Sequence, residues 1–134
     1  MNRIPAFLLL VLITATTRAA PPEDFITFLH RFRSDRAFRV TRVEFPLKVR
    51  LGSSCEEDVK TFSWNPHTFT LKFTLPRTLD DLAAEGLSEQ ITQPSSFEVQ
   101  VFQFRDEADS YLLKYLFRLR RGRWFLKRFE DTSC

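Results

Sequence analysis

Phe25-Ile26-Thr27-Phe28-Leu29-His30-Arg31-Phe32-Arg33-Ser34-Asp35-Arg36-Ala37-Phe38-Arg39-Val40-Thr41-Arg42-Val43-Glu44-Phe45-Pro46-Leu47 changes its hydrophobic period partway along. Phe25, Phe28, Leu29 and Phe32 fall at i, i+3, i+4 and i+7, the stripe of an amphipathic helix. Pro21-Pro22 followed by Glu23-Asp24 supplies the start, because proline suits a first turn and acids suit the positive end of the helix dipole. Ser34 or Asp35 then recaps the chain into a short second helix around Arg36 to Arg39, with Phe38 pointing inward. From Val43 the period becomes two. Val43, Phe45, Leu47, Val49 and Leu51 alternate with Glu44, Pro46, Lys48 and Arg50, a strand with one buried face. Pro46 puts that strand at a sheet edge or a bend. This stretch is therefore mixed, two helices followed directly by a half-buried strand.

Downstream, Gly52-Ser53-Ser54 ends the strand, and Glu56-Glu57-Asp58 reads as a solvated loop, since three adjacent acids do not converge on one ion. Thr68 to Leu75 alternates Phe69, Leu71, Phe73 and Leu75 with polar neighbours and predicts a strand. Thr78 before Leu79-Asp80-Asp81 resembles a capping box. Leu79, Leu82, Ala83 and Leu87 make a helical stripe closed by Pro94-Ser95-Ser96, with Gly86 weakening it. The remainder reads as antiparallel sheet. Phe97, Val99 and Val101 form one strand, Arg105 to Asp109 a charged turn, and Tyr111, Leu113, Tyr115, Phe117 and Leu119 one face of a long strand. Arg120-Arg121-Gly122-Arg123 is a hairpin turn with a glycine available for positive φ, and Trp124 to Phe129 returns as the closing strand.

Working back from the opening helix, Met1 to Ala19 reads as a secretory signal peptide. Arg3 gives the positive start, Ile4 to Ile13 the apolar run, and Thr17-Arg18-Ala19 the small residues a signal peptidase reads. The apolar run is about half the roughly 20 residues that a membrane-spanning helix needs. No cysteine before Cys55 offers a lipid anchor. The expectation is therefore one α+β domain over residues 20–134, exported to the periplasm or secreted, with no membrane span after cleavage. Losing Arg3 and Arg18 lowers Lys plus Arg from 20 to 18 against 17 acids, so the formal charge falls from +3 to +1. That balance removes the main support for a general nucleic-acid or anionic-membrane role. Fourteen of the fifteen phenylalanines lie beyond the leader, and each buries on the order of 150–250 Å² when enclosed, so a short chain still builds a substantial core. Cys55 and Cys134 both survive cleavage, and an oxidising compartment makes a single disulfide between them the simplest expectation.

Chemistry-bearing residues are few. Arg33, Arg36, Arg39 and Arg42 recur every third residue, but the capping break keeps them from sharing one helix face, and they read as solvated. Arg42 stands apart, because an acid at the helix break and an arginine at the strand entry invite a structural Asp35–Arg42 pair with two parallel hydrogen bonds. His30, on the polar side of the first helix, and His67, after Asn65-Pro66, are the candidate acid–base groups, and neither has a partner at a defined spacing. No nucleophile motif occurs, and two isolated histidines make no zinc site. No catalytic residue, metal or cofactor is expected.

Two helices, a strand, a helix and then antiparallel strands ending in a hairpin is the element order of the cone-shaped α+β fold typified by nuclear transport factor two. Phe25-x-x-Phe28-Leu29-x-x-Phe32-x-x-Asp35-x-x-Phe38-x-x-x-Arg42-Val43-x-Phe45-Pro46-Leu47 resembles a family of exported bacterial proteins in that superfamily known as a domain of unknown function. Trp64 to Phe69 matches more loosely. The resemblance implies a curved antiparallel sheet wrapped around the first helix, an exported location, and a concave pocket lined by Trp64, Tyr111 and Tyr115. It implies no reaction. The function expected is a non-catalytic module that binds a small ligand or a protein, an immunity-like periplasmic protein included. The alternative is a small pocket enzyme of the isomerase or dehydratase type.

Overall fold

The computed structural model describes residues 20–52, 58–75, 78–105 and 108–133, the side chains of 108–111 excepted. The expected leader, Cys55 and Cys134 lie outside the described residues, as does Tyr111 beyond its backbone.

Helix α1 (Phe25–Ser34) begins where Asp24 accepts hydrogen bonds from the Thr27 amide at 3.0 Å and the Thr27 hydroxyl at 2.8 Å. Those two bonds, the amide first, hold the Asp24 carboxyl below the usual carboxylate range. Asp35 ends α1 and caps α2 (Arg36–Thr41), its carboxylate accepting from the Phe38 amide at 3.0 Å. Strand β1 (Val43–Leu51) follows at once. Then come β2 (Lys60–Trp64), α3 (Pro66–Lys72), α4 (Leu79–Ala84), β3 (Ser88–Ser95), β4 (Glu98–Arg105), β5 (Ala108–Arg120) and β6 (Arg123–Asp131).

The six strands form one curved sheet in the order β2-β1-β6-β5-β4-β3. Neighbours run antiparallel except β1 and β6, which are parallel. β1 is therefore an interior strand, and Pro46 marks a bend rather than an edge, falling inside the register shift between Val43 and Lys48. The β5–β6 hairpin closes through Arg121 (φ 51°) and Gly122 (φ 75°), the two positive-φ residues that a tight right-twisted hairpin requires.

Three elements differ from the sequence expectation, the first being β2, a strand that no reading of the sequence anticipated. Residues 66–72 form a helix, not a strand: Asn65 caps the Thr68 amide at 2.8 Å and Pro66 occupies the first turn. Phe69 and Phe73, four apart, stack at 4.5 Å and are buried, while Leu71 is 70% exposed. The helix expected to run on toward Pro94 stops at Ala84, after the Thr78–Asp81 capping box. Gly86 then turns the chain at φ 70° into β3, which pairs with β4.

The helices cover the inner face of the sheet. Phe28 and Phe32 meet the Phe117 ring edge-on at 5.6 and 5.4 Å, and Phe25 meets it at 5.4 Å. Phe73 meets Phe129 at 5.4 Å, and Tyr115 lies 5.2 Å from the same ring. Each tilted or edge-to-face pair adds roughly 0.5–1.5 kcal/mol beyond the area it buries. Leu47, Phe117 and Leu126 are fully buried, which places the core midway between α1 and the β1–β6–β5 strands.

Candidate functional site

Among inward-facing groups of the sheet, the polar exceptions gather beside β3. Gln103 on β4 is fully buried, and Arg33 on α1 is 5% exposed. The Arg33 guanidinium donates to Glu89 of β3, whose side chain is 9% exposed. The other carboxylate oxygen of Glu89 accepts from Gln103 Nε2 at 3.0 Å, and Gln103 Oε1 accepts from the Tyr115 hydroxyl at 3.2 Å. That hydroxyl also lies 3.4 Å from the Thr74 carbonyl. A buried ion pair is tolerated when its remaining hydrogen-bonding capacity is met, and this chain of four side chains meets it.

Above this polar floor runs a groove of about 530 Å³ between α1, the start of α4 and edge strand β3. Its walls are apolar: Leu29 is buried, while Ile26 (59% exposed), Leu79 (72%) and Ile91 (40%) stand open along the rim. His30, Thr78 and Asp80 add polar groups at its mouth. The size lies within the usual range for small-molecule sites, and a mostly apolar lining with a few polar groups is the common composition of such sites.

The expected site residues distribute differently. Trp64 is buried at the end of β2 against Phe129, at 6.0 Å, and Tyr115 is fully enclosed, so both belong to the core instead of a pocket wall. The Asp35–Arg42 pair does not form. Asp35 caps α2 and sits 3.8 Å from Arg31, one helical turn back. Arg42 Nη1 donates to Glu23 at 2.7 Å and to the Trp124 carbonyl at 3.3 Å, because the β5–β6 hairpin carries Trp124 and the chain before α1 to the α2–β1 junction. The arginine ladder is not a solvated face either. Arg33 holds Glu89, and Arg39 donates to the carbonyls of Phe32 at 2.8 Å and Arg33 at 2.6 Å, closing the end of α1. Arg36 alone of the four is exposed.

His67 is exposed on α3, apart from the groove. Among the described residues no three metal-ligating side chains converge. Glu89 and Gln103 were not singled out in the sequence, and Arg33 was named only as one of a solvated arginine series. Period-two parity from Val99 and Val101 does carry Gln103 to the inner face, and pairing of Glu89 with Gln103 carries the acid there too.

The architecture is the nuclear-transport-factor-2-like α+β cone. Solved structures with this fold include an NTF2-like protein from Bacteroides fragilis, 18% identical with a TM-score of 0.63, matched over 87% of this chain and 50% of its own. A cystatin-like protein from Bacteroides caccae is 24% identical with a TM-score of 0.55, over 84% of this chain and 78% of that one. A protein from Bacteroides uniformis is 22% identical with a TM-score of 0.54, over 85% and 78%. The chain thus spans half the length of the B. fragilis protein. No family model and no curated protein matches the sequence.

Proposed function

We propose that the protein is an exported, non-catalytic binding module whose α1–β3 groove takes a small, mainly apolar ligand. One observation carries this reading: Ile26, Leu79 and Ile91 stay open to solvent around a roofless apolar groove instead of closing over it. Leaving such surface exposed forgoes roughly 25 cal/mol per Å² of burial, which a ligand recovers on binding. The chemistry beneath supports binding over turnover. Glu89 is engaged by Arg33 and Gln103, and the Tyr115 hydroxyl by Gln103, so these groups position the walls of the site.

The neutral apolar dye N-phenyl-1-naphthylamine is expected to bind saturably. Ile91→Asp should weaken it at least about tenfold, the loss of one apolar side-chain contact plus a charge in the groove, without changing the unfolding midpoint. Equal binding by Ile91→Asp and the parent protein overturns the assignment of this groove. Export rests on the leader pattern, and intact mass of the product from its own host should give a chain starting at Ala20. A chain retaining Met1 in the cytosolic fraction rejects it.

A further inference from the structure

On the far side of α1 from the groove, and sharing no residue with it, lies an open cleft of about 1010 Å³ where Arg31, Arg42, Arg121 and Arg123 converge. They come from three parts of the fold: α1, the α2–β1 junction and the β5–β6 turn. Among the described residues Glu23 is the one carboxylate in the lining, and it is already used. Its Oε2 accepts from Arg42 Nη1 at 2.7 Å and from the Trp124 amide at 3.0 Å. Asp35, beside the cleft, is 3.8 Å from Arg31.

Several other arginines of the fold are held in ion pairs. Arg33 meets Glu89, Arg120 meets Glu44 at 3.6 Å, and Arg128 meets Glu130 at 3.0 Å. Arg121 and Arg123 are exposed and have no side-chain partner among the described residues. Four guanidinium groups against Glu23 and Asp35 leave an excess of two positive charges here. Residues 20–134 as a whole carry +1, so the rest of that chain is net negative. Positive charge is concentrated in this cleft, where four guanidinium groups from separate parts of the chain face one open volume.

The cleft is also built. Arg42 is fixed by Glu23 and by the Trp124 carbonyl, and its guanidinium carbon sits 4.8 Å from the Phe38 ring centre. Arg31 lies over the same ring at 4.0 Å. The hairpin is tied to the chain before α1 by the Glu23 amide donating to the Gly122 carbonyl at 2.9 Å, and by the Trp124 indole donating to the Glu23 carbonyl at 2.8 Å. We propose that this cleft binds a ligand carrying two or more closely spaced tetrahedral oxyanions, phosphate or sulfate esters. Guanidinium groups offer paired N–H donors matched to such groups. The volume is at the upper end for small-molecule sites, more than one oxyanion fills. Nucleic acid fits less well, because base stacking needs an aromatic face and Phe38 is already engaged by two arginines.

Calorimetric titration at low salt tests this with inorganic tripolyphosphate and, separately, a polysulfated disaccharide. Binding of either upholds the site, and the tighter one identifies the source of the oxyanions. The double substitution Arg121→Glu with Arg123→Glu should weaken binding at least about tenfold, through loss of two charge-assisted contacts. Arg36→Glu with Arg118→Glu, an equal change of net charge at exposed positions elsewhere, should leave it within about twofold. Should the first pair unfold, Arg121→Asn with Arg123→Gln keeps a turn-compatible residue and must still show the loss. Equal weakening by both pairs, no weakening by either, or binding of an oligothymidylate but neither probe overturns the proposal.

Discussion

Arg42 joins parts of the molecule that lie far apart in sequence. It holds the segment before α1 through Glu23 and the last strand through Trp124, and it packs its guanidinium against Phe38 and, at 5.6 Å, Phe125. Its importance was legible from its place at the strand entry, but its partner was not. Asp35 is seven residues away in sequence, whereas Glu23 is nineteen residues away, and the docking of the β5–β6 hairpin that fixes Glu23 beside Arg42 is announced by no local pattern. Arg42→Ala should cost about 2 kcal/mol, the worth of charge-assisted hydrogen bonds in a mostly buried setting. Asp35→Asn, which keeps a capping oxygen, should cost only a few tenths of a kcal/mol. Chemical denaturation of the single and double variants checks both. Coupling is expected between Glu23 and Arg42 and absent between Asp35 and Arg42.

Elements were readable where one period dominates and ambiguous where two coincide. Phe69 and Phe73 are four apart, a spacing that satisfies both an alternating strand and one face of a helix. The deciding signal was Asn65-Pro66, a cap followed by a residue suited to a first helical turn, with Leu71 left outside. The groove suffered from a related error. Residues 79–95 hold a helix of six residues and a strand of eight, and reading them as one helix removed Glu89 and Ile91 from the inner face. Arg33–Glu89 is the contact that moors α1 to that edge strand. Glu89→Leu strips the buried guanidinium of its carboxylate and should destabilise by about 3–5 kcal/mol, while Arg33→Met combined with Glu89→Leu should recover most of the loss. Thermal and urea unfolding of the three proteins measures this. A double variant no better than Glu89→Leu would mean that the pair is not the cause.

For the whole molecule, the α+β class was legible in the order of the elements, and the helix-over-sheet arrangement in the resemblance carried by residues 25–47. The phenylalanine stripe on α1 says only that it needs a wide apolar surface. Phe117, Leu126 and Leu47 supply that surface from three different strands. Strand order was beyond reach. Alternation tells which face of a strand is buried but carries nothing about which strand lies beside it, and the join of β1 to β6 links residues such as Val49 and Phe129. The charge distribution was half visible, since the sequence displayed the arginines but not that four of them meet.

That parallel join also orders events during synthesis. β1 has only the short β2 beside it until residues 123–131 have been translated, and the aromatic stripe of α1 has no Phe117 to rest on until β5 has been made. The opening third of the polypeptide must therefore wait, its rings uncovered, for the final strand to arrive. Such distant closure slows folding and prolongs the time during which apolar surface is open to aggregation.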